Sequence, residues 1–556
     1  MGTFIFWMII AFLIIIMVVN NYRNERMQKN ERIEYLKEEY GKVIEPNKSE
    51  RLDHNILNVY YRYISERNKG KEFYIDDITW NDLNLDSVYE VLNRTYTSAG
   101  EEILYANLRT LHLTSCDSDS LYKRSEMYNQ NENVRIKVLD CLDKQGKISG
   151  ISSFEIINRL FKAEKININK DIITDVAILV SFFVIFISPA LGMLAFLGFL
   201  FYSIFTYFNK KTYIDENIRA YRYALGLIDT KIKLNACLNE AEDNNINPIK
   251  KNIRYSFLIP KKDGTSSNPF TIIYNYICMI FHVDIIAYSL GISTVIDSKD
   301  VVLRAFEQIG KEDVALALAS YIRSVSYVCE AEFSIEPKCF DAEKMYHPLT
   351  TKSVTNDLTT YRGVLITGSN ASGKSTFLKM VGINVIFARS FGFALANKFR
   401  LSPFILYTSM ALNDNIMGKE SYYIVETRSL KRICDIAAED NVMCIVDEVL
   451  RGTNTMERIA ASSSILKYLA VNNIICFVAT HDNELTQILD ESYDMYYFTE
   501  IIENDEIVFP YKISKGVSVT GNAIKLLDTM GYDSEIVSLA NEMADKYKNV
   551  GKWEKV

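Results

Sequence analysis

The sequence contains no C-x-x-C pair, although it has nine cysteines spread from Cys116 to Cys476. With an odd total and no such pairs, these cysteines indicate neither a disulfide framework nor a zinc site. A reducing compartment is therefore the simplest location for the protein. An excess of positive charge is lacking too, because 62 basic residues stand against 70 acidic ones and the net charge is -8. This balance excludes a surface dominated by phosphate contacts, so any contact with nucleic acid must be local.

Long apolar runs are present in two places, and the first is the uncharged run Thr3–Val19. It is just long enough for a helix to cross about 30 Å of hydrocarbon. No basic segment precedes the run and no small-residue cleavage site follows it, so a secretory signal is disfavoured. Four basic side chains follow it: Arg23, Arg26, Lys29 and Arg32. Because such residues favour the cytoplasmic side, the pattern predicts an anchor with the following chain in the cytoplasm; a buried or interfacial helix is the alternative.

The second apolar run, residues 172–208, is nearly twice as long as one membrane span requires. Pro189 and Gly192 lie at its centre in the sequence SPALG, which predicts a turn, and lysines flank both ends. The pattern therefore predicts a hairpin, made either of two true spans or of a re-entrant segment. Both arrangements return the chain to the side that it left.

The stretch TGSNASGKST, residues 367–376, follows a strand pattern and precedes a helical one. This is the context that the phosphate-binding motif G-x-x-x-x-G-K-[ST] requires. Its glycines let backbone N–H groups curl around phosphate oxygens at a helix N-terminus, where the dipole favours negative charge. Lys374 is expected to reach the β- and γ-phosphates and Ser375 to ligate Mg²⁺, so ATP and Mg²⁺ are the predicted cofactors. The predicted nucleotide-binding residues here are Gly368, Ser369, Asn370, Ala371, Ser372, Gly373, Lys374, Ser375 and Thr376.

Two later strand patterns end in further candidates. NVMCIVDE ends in Asp447, which could support the metal, and Glu448, which could orient and deprotonate an attacking water. IICFVAT precedes His481, one of only five histidines in the chain. A histidine after a strand is usually structural, but the order of the three motifs favours a contact that senses the γ-phosphate. Lys374, Glu448 and His481 are therefore the predicted catalytic residues, and Ser375 and Asp447 the predicted metal ligands.

These stretches resemble the ATPase domain of the MutS family, which shows T-G-x-N-x-x-G-K-S-T, D-E-x-x-x-G-T-x-T and T-H-x-x-E-L in this order. The chain has TGSNASGKST, DEVLRGTNT and THDNEL. YHPLTTKSVTNDL before the motif strand, TYTSAGEEILYANLR in the helical part and the segment from GNAIKLLD to ADKY are also similar. The resemblance implies an α/β P-loop ATPase domain with a MutS/ABC-like parallel sheet, preceded by an all-α core and lever region, and the two apolar runs add the predicted transmembrane helices.

The ABC-transporter class is the rival for an ATPase on a membrane, but no L-S-G-G-Q lies between Lys374 and Asp447. NDNIMGKESYYIVE instead resembles the MutS segment that reaches across a dimer to the partner's nucleotide. Ser421 stands at the position of that segment's serine, although Glu420 is an insertion relative to the family pattern. The resemblance thus implies a homodimer, with Ser421 as a further nucleotide-binding residue.

The segment NPIKKNIRYSFLIPKKDG is the best basic patch of the chain. If DNA is a partner, as the resemblance implies, Lys250, Lys251 and Arg254 are the candidate contacts; a solvated loop joining two helices is the alternative. The place of the family's mismatch-reading region holds an apolar run and a charged segment, and the chain stops soon after the last helical pattern. Neither mismatch reading nor DNA cutting is therefore expected.

Together these patterns predict a protein of the cell membrane, anchored or multi-pass and in contact with lipid, whose cytoplasmic ATPase domain drives movement of helical arms, acting on DNA. A nucleotide-controlled membrane scaffold without a DNA function is the alternative. A transporter is disfavoured, because Asp175 is the only ionisable candidate in the hairpin. The predicted divisions are an anchor (1–21), a charged helical linker (22–75), a helical core with Gly100 between two helices (76–171), the hairpin (172–208), a helical lever (209–340) and the ATPase domain with C-terminal helices (341–556).

Overall fold

The structure is a computed structural model with a helical part followed by an α/β part, as the sequence predicts. The predicted anchor, residues 1–21, lies outside the described residues and stays a prediction. The structure describes residues 23, 26–45, 53–112, 121–241, 243–259, 269–350, 353–369, 372–410, 422–436, 441–451, 453–472, 474–503, 506–517, 523–553 and 555.

The first helices pack around aromatic side chains. They and a two-stranded antiparallel sheet are α1 (26–39), α2 (His54–Arg67), β1 (Glu72–Tyr74), α3 (Asp77–Asp82), α4 (Leu85–Leu92), α5 (Ser98–Leu108), β2 (Thr110–His112), α6 (Leu121–Gln130), α7 (Glu132–Gln145) and α8 (Ser153–Leu160). Trp80 and Tyr105 are buried with ring centroids 5.0 Å apart. Thr97 caps α5 by accepting a hydrogen bond from Gly100 N. Gly100 therefore lies inside α5, and the prediction that it separates two helices is wrong; the Asp313 carboxylate fills the space that a Cβ would need.

The second set of helices includes the predicted hairpin. It comprises α9 (Asn169–Val184), α10 (Pro189–Leu238), α11 (Asn247–Arg254), α12 (Pro269–Phe281), α13 (Val283–Asp297) and α14 (Lys299–Ser324), with 3₁₀ turns at Asn244–Ile246 and Ser256–Leu258. Gly192 lets α10 approach α9 closely, because a Cβ there would lie 2.4 Å from Ile185 N. No helix ends at the predicted boundary after residue 208, since α10 continues unbroken for 50 residues. The first part of the basic patch, Asn247–Arg254, folds as α11, where a loop was the alternative.

One helix in the described part of the chain, α10, is long and apolar enough to cross a membrane, and 17% of its apolar window is buried. Ile272–Phe281 of α12 and all of α13 pass the same test as a pair that is bent by 71°. Both results concern length and composition. The exposed large apolar side chains of α9, of the turn after it and of α10 include Val180, Phe183, Phe186, Ile187, Leu191, Leu194, Leu197, Phe201 and Phe205.

The α/β part begins with short strands and then alternates strands with helices. Its elements are β3 (Cys329–Glu330), β4 (Glu332–Phe333), β5 (Phe340–Met345), β6 (Asn356–Thr360), β7 (Gly363–Thr367), α15 (Lys374–Phe391), β8 (Phe393–Ala394), β9 (Lys398–Leu401), β10 (Ile405–Ser409), α16 (Tyr422–Asp435), β11 (Val442–Asp447), α17 (Thr455–Val471), β12 (Ile475–Ala479), α18 (Glu484–Ile488), β13 (Tyr493–Phe498), β14 (Ile501–Glu503), β15 (Glu506–Val508), β16 (Ile513–Lys515), α19 (Ala523–Thr529) and α20 (Ser534–Val550).

The main sheet has six strands in the order β10-β11-β12-β7-β13-β16. The first five are parallel, and β16 pairs with β13 in the antiparallel direction. Every residue of β7, β11 and β12 is buried, as apolar strands covered on both faces require. A second sheet has the order β4-β9-β5-β6. Because parallel strands end at one edge, the residues that follow β7, β11 and β12 come together there.

The helical part packs directly on the main sheet. Asp82 of the α3 end accepts hydrogen bonds from Thr408 Oγ1 at 2.6 Å and from Met410 N at 3.0 Å, which joins α3 to β10. Ser390 near the end of α15 donates to Thr110 O at 2.7 Å. One hydrophobic cluster contains buried side chains of both parts. Helix α15 therefore connects the loop after β7 with α5 and β2 of the helical part.

Candidate functional site

The loop between β7 and α15 depends on two glycines with positive φ. Gly368 has φ +148° and Gly373 has φ +104°, values that favour glycine. Space requires glycine as well, because a Cβ at Gly368 would lie 2.7 Å from Phe498 O and one at Gly373 2.9 Å from Tyr511 Cδ1. The loop therefore holds a tight turn that a side chain would disrupt.

Lys374 begins α15 and turns its ammonium back toward this loop. Its Nζ donates to Gly368 O and to Ser369 O, each at 2.8 Å, and lies 3.2 Å from His481 Nε2. Burial lowers the pKa of Lys374 to about 8, although Glu448 and Asp447 favour its charged form. The lysine is thus a poorly hydrated cation beside two carboxylates. Among the described residues, its ammonium donates to two loop carbonyl oxygens, which an anion could replace.

Glu448 follows β11 in a left-handed backbone conformation, with φ 59°. Its Oε1 lies 3.0 Å from His481 Nε2, and its other oxygen pairs with Arg451. Burial acts to raise the pKa of Glu448, but the hydrogen bond from His481 and the charge of Arg451 outweigh it, so the pKa lies below its ordinary value. Glu448 is therefore ionised at neutral pH.

The loop after β11 is fixed from α16. Leu450 also has a positive φ, 60°, and its N–H donates to Glu426 Oε1 at 2.5 Å. Non-glycine residues in this conformation cost on the order of 1–3 kcal/mol unless their surroundings impose it. Glu426 is buried, and burial raises its pKa. The strained loop that carries Glu448 is thus held by a carboxylate on a neighbouring helix.

Asp447, the last residue of β11, is 6% exposed, and its buried Oδ1 has no hydrogen-bond partner among the described residues. A buried carboxylate oxygen without a partner is costly. A divalent cation prefers such oxygen ligands, and the hydroxyl of Ser375 lines the adjoining cavity. The donor set present here therefore fits Mg²⁺, with Asp447 and Ser375 as the residues that would hold it.

These groups open onto a cavity of about 430 Å³, which lies within the range of small-molecule sites. Its polar end has Lys374 and the ionised Glu448, and its other walls come from the segment before β6, from α15 and from the segment after β15. The lining residues are His347, Thr350, Val354, Asn356, Ser369, Gly373, Lys374, Ser375, Thr376, Phe377, Met380, Glu448, Arg451, Phe498 and Tyr511.

Most sequence-predicted residues that the structure describes lie at this cavity. Ser372 is buried and bonds back to Ser369 O at 2.7 Å, so it shapes the loop and does not face the cavity. Asn370, Ala371 and Ser421 lie outside the described residues. The candidate DNA contacts Lys250, Lys251 and Arg254 are on α11, in the helical part and away from the cavity.

Several residues of the site are not among the site residues that the sequence predicts. Arg451 pairs with Glu448, and Glu500 accepts a hydrogen bond from Ser369 Oγ at 2.8 Å. Burial, together with the charge of Lys379, lowers the pKa of His347 to about 4, so this cavity wall is neutral at pH 7. A signal existed for Arg451, which stands three residues after Glu448, but none marked Glu500, which reaches the loop from beyond β13.

Comparison with known proteins places these residues in a family context. The family model for MutS domain V matches residues 364–548. The DNA mismatch repair protein MutS of Thermotoga petrophila is 28% identical over 261 residues, which cover 45% of this chain and 32% of that protein. MutS of Pseudothermotoga lettingae is 30% identical over 221 residues (37% and 27%), and the DNA mismatch repair protein MSH3 of Candida glabrata is 29% identical over 197 residues (34% and 19%).

The chain thus spans a third or less of the length of these relatives. The matched family model nevertheless includes the loop with Lys374, Glu448 after β11 and His481; the loop and Glu448 line the cavity, and His481 contacts both Lys374 and Glu448. The C-terminal half of the chain thus contains a region that matches MutS domain V and is similar to proteins of the MutS family.

Proposed function

We propose that the protein is a membrane-bound, Mg²⁺-dependent ATP hydrolase that couples ATP binding and hydrolysis to movement of its helical part. The observation that carries this proposal is the continuous contact from Lys374 through His481 to Glu448 beside the glycine loop. One cation for phosphate, one ionised carboxylate for water and one imidazole between them are the groups that phosphoryl transfer to water requires.

The roles follow from the geometry of each group. When phosphates replace Gly368 O and Ser369 O as partners of Lys374, its ammonium neutralises the β- and γ-oxygens. Glu448 is ionised and accepts the proton of the attacking water, while His481 holds Glu448 and senses the γ-phosphate. Bound Mg²⁺, held by Ser375 and Asp447, would neutralise charge on the phosphate oxygens. His347 and Tyr511 line the rest of the cavity, where the nucleoside would lie.

Coupling to the helical part rests on α15. Its first residue is Lys374, and its other end packs on α5 and β2 through Ser390 and Thr110. Gly382 in its middle leaves no space for a Cβ, which would lie 2.9 Å from Leu83 Cδ2. A displacement of Lys374 on phosphate binding therefore moves a packed helix against the helical part, as a rigid element between two sites would.

Membrane attachment is supported by the exposed apolar surface of α9 and of the first part of α10. Asp175 lies within α9, yet its Oδ1 bonds His282 Nδ1 at 2.9 Å, and Asp171 pairs with Lys210 at 2.6 Å. Charged groups thus collect at the base of the hairpin and pair there, while the side chains beyond them are apolar, as a membrane-inserted hairpin requires. We place the hairpin in the cell membrane and the ATPase domain in the cytoplasm.

The family relationship supports two further partners. A second copy of the chain would supply Ser421 to its partner's nucleotide, and DNA would bind near Lys250, Lys251 and Arg254. Mismatch reading and DNA cutting are outside the proposal. A membrane scaffold whose assembly is controlled by nucleotide is the alternative, and the exposed hairpin favours it as much as it favours a DNA function.

Glu448→Gln tests the hydrolase proposal. The amide keeps the size of the side chain but cannot accept the proton, so steady-state ATP hydrolysis should fall by about 10²–10⁴-fold. Affinity for ATP, measured with Mg²⁺ by equilibrium binding, should change by less than about threefold, because Lys374 and the glycine loop are unaltered.

Glu542→Gln is the matched control, since Glu542 is exposed on α20 and pairs only with Lys546 among the described residues. It should hydrolyse ATP at the wild-type rate. Equal rates of ATP hydrolysis by the Glu448→Gln and wild-type proteins would show that Glu448 has no role in the reaction. If neither protein bound ATP, the proposed function would be overturned.

A further inference from the structure

A second cavity, of about 450 Å³, lies at the base of the apolar hairpin. It opens along α10, beginning at Tyr207 and Phe208, where the run of exposed apolar side chains ends. Its opposite wall includes Ile259, after the 3₁₀ turn that follows α11, and Asn275 of α12. None of the motifs for nucleotide binding touches this cavity.

Basic side chains dominate the polar part of this cavity. Lys211, Arg219 and Arg222 line it together with one carboxylate, Asp215. They follow one another at intervals of three or four residues on α10, so they share one face of the helix. When Asp284, which pairs with Lys211 behind the cavity wall, is counted with Asp215, three cations face two acids, so an excess of positive charge remains in a protein whose net charge is -8.

Ion pairs hold two of these cations in place without using all their donors. Lys211 pairs with the buried Asp284, and Arg219 Nη2 lies 2.7 Å from Asp215 Oδ2. The side chain of Arg219 is 54% exposed, and a guanidinium has five N–H donors. The cavity therefore presents positioned donors that can reach the oxygens of an anion.

The remaining walls are mostly apolar, with Thr212 and Asn275 as the uncharged polar residues among them. Tyr207, Ile218 and Ile259 are each buried to at least 91%, whereas Phe208 is 56% exposed at the end nearer the hairpin. Helix α12 closes this side, because Ser203 Oγ on α10 donates to Ile280 O at 2.6 Å. Exposed apolar side chains of α12, Ile272 and Ile273, continue the surface. The site is thus basic at one end and apolar at the other.

We propose that this cavity binds the phosphate headgroup of an anionic phospholipid, with the acyl chains along the exposed apolar surface of α10. The proposal rests on the membrane placement in the proposed function. Basic pockets beside membrane-inserted helices on the cytoplasmic side suit such headgroups. A nucleic-acid backbone is the poorer match, because it needs a polar surface along its length and this cavity ends in apolar walls.

Native mass spectrometry of the full-length protein in detergent tests the site. On titration, phosphatidylglycerol should bind at least about tenfold more tightly than phosphatidylcholine, and Arg219→Gln/Arg222→Gln should abolish this preference. Lys233→Gln/Lys431→Gln is the control, because it removes the same number of positive charges at exposed positions, where each lysine pairs with an aspartate four residues away. The control should keep the wild-type preference. Free glycerol phosphate should compete only at far higher concentration, since it lacks acyl chains.

Four outcomes would overturn the proposal. Equal affinity for both lipids, or an unchanged lipid preference in the double arginine variant, would show that the cavity does not bind the headgroup. Competition by glycerol phosphate at the lipid's own concentration assigns the cavity to a free phosphate. Loss of binding to a short DNA duplex in the arginine variant, with lipid preference intact, assigns it to nucleic acid.

Extraction of cell membranes with alkaline carbonate separates this proposal from the one on which it rests. Retention of wild-type and variant protein supports the membrane placement and leaves the lipid preference to decide the headgroup site. Release of the wild-type protein overturns the membrane placement, and the lipid site with it, while the ATP hydrolysis of the protein is unaffected.

Discussion

The ammonium of Lys374 lies in a site too dry to hold its charge at high pH. Burial lowers its pKa to about 8, and bound phosphates favour the charged form. Affinity for ATP should therefore be constant below pH 8 and fall by up to about tenfold per pH unit above it. Equilibrium binding from pH 7 to 9.5 measures this profile.

Lys374→Arg provides the comparison, because a guanidinium keeps its charge throughout this range. Its affinity, whatever its absolute value, should be flat with pH. A wild-type affinity that does not change up to pH 9.5 would mean that the empty site does not lower the pKa of Lys374.

At the scale of single residues, the sequence predicts the groups that belong to local motifs. Gly368, Gly373 and Lys374 lie close together along the chain, so their spacing alone places them on one loop. Glu500 meets this loop through the pairing of β7 with β13, and Tyr511 through the further pairing of β13 with β16. No spacing in a single sequence encodes such a contact, and the positive φ of Leu450 depends likewise on Glu426 of another helix.

At the scale of elements, the buried carboxylate of Asp313 on α14 accepts hydrogen bonds from residues at the N-terminal end of α5. Asp313 accepts hydrogen bonds from Tyr96 N, from Thr97 N at 2.7 Å and from Thr97 Oγ1 at 2.6 Å. Burial nevertheless raises its pKa from 3.8 to about 6. Burial likewise raises the pKa of Glu102 on α5 from 4.5 to about 7. The N-terminal end of α5 is therefore sensitive to pH.

The sign of this effect follows from linkage. When the pKa of a carboxyl is higher in the folded state, its contribution to the free energy of unfolding is complete below the unfolded pKa, near 4. This contribution is lost as the pH rises through the folded pKa. For Asp313 the loss between pH 4 and 7 is on the order of 3 kcal/mol. Hydrogen exchange of the α5 amides, corrected for intrinsic rates, should show a falling free energy of opening over this range.

Asp313→Asn should flatten this dependence, because the amide cannot ionise. Asp229→Asn, at a half-exposed position paired with Lys233 on α10, should keep the wild-type slope. An Asp313→Asn protein with the wild-type slope would assign the pH dependence to other groups.

The sequence predicts the type of most elements better than their extent. The turn at SPALG and the strand before the glycine loop follow from local residue types. By contrast, α10 continues from an exposed apolar half into a half packed in the helical core, as at Leu225 and Leu234. The change from apolar to polar residues near residue 208 predicts a domain boundary there. Such a change follows the surroundings of the helix, and it does not end the helix itself.

At the scale of the whole molecule, the hairpin should lie in lipid. Leu194 is 73% exposed in the first half of α10, and Tyr213, just beyond the apolar run, is 87% exposed. In membranes, Leu194→Cys should react with a water-soluble maleimide at least about tenfold more slowly than Tyr213→Cys, because hydrocarbon excludes the reagent. Mass spectrometry locates the label among the native cysteines.

Both positions should react at similar rates after denaturation. Equal labelling of the two cysteines in intact membranes would contradict the placement of the hairpin in the bilayer.

The central claim is that nucleotide at Lys374 moves the helical part. Its most direct test is the distance between spin labels attached to non-natural residues at Tyr468 on α17 and Lys233 on α10, both exposed. Labelled protein carrying Glu448→Gln is diluted with unlabelled protein in lipid bilayers and measured with and without ATP and Mg²⁺, each in the presence and absence of a DNA duplex.

We predict that ATP shifts the distance distribution by a few ångström, and that DNA changes the shift if the arms act on DNA. A shift that DNA leaves unchanged would favour the membrane scaffold. Superimposable distributions with and without bound ATP would contradict the coupling itself.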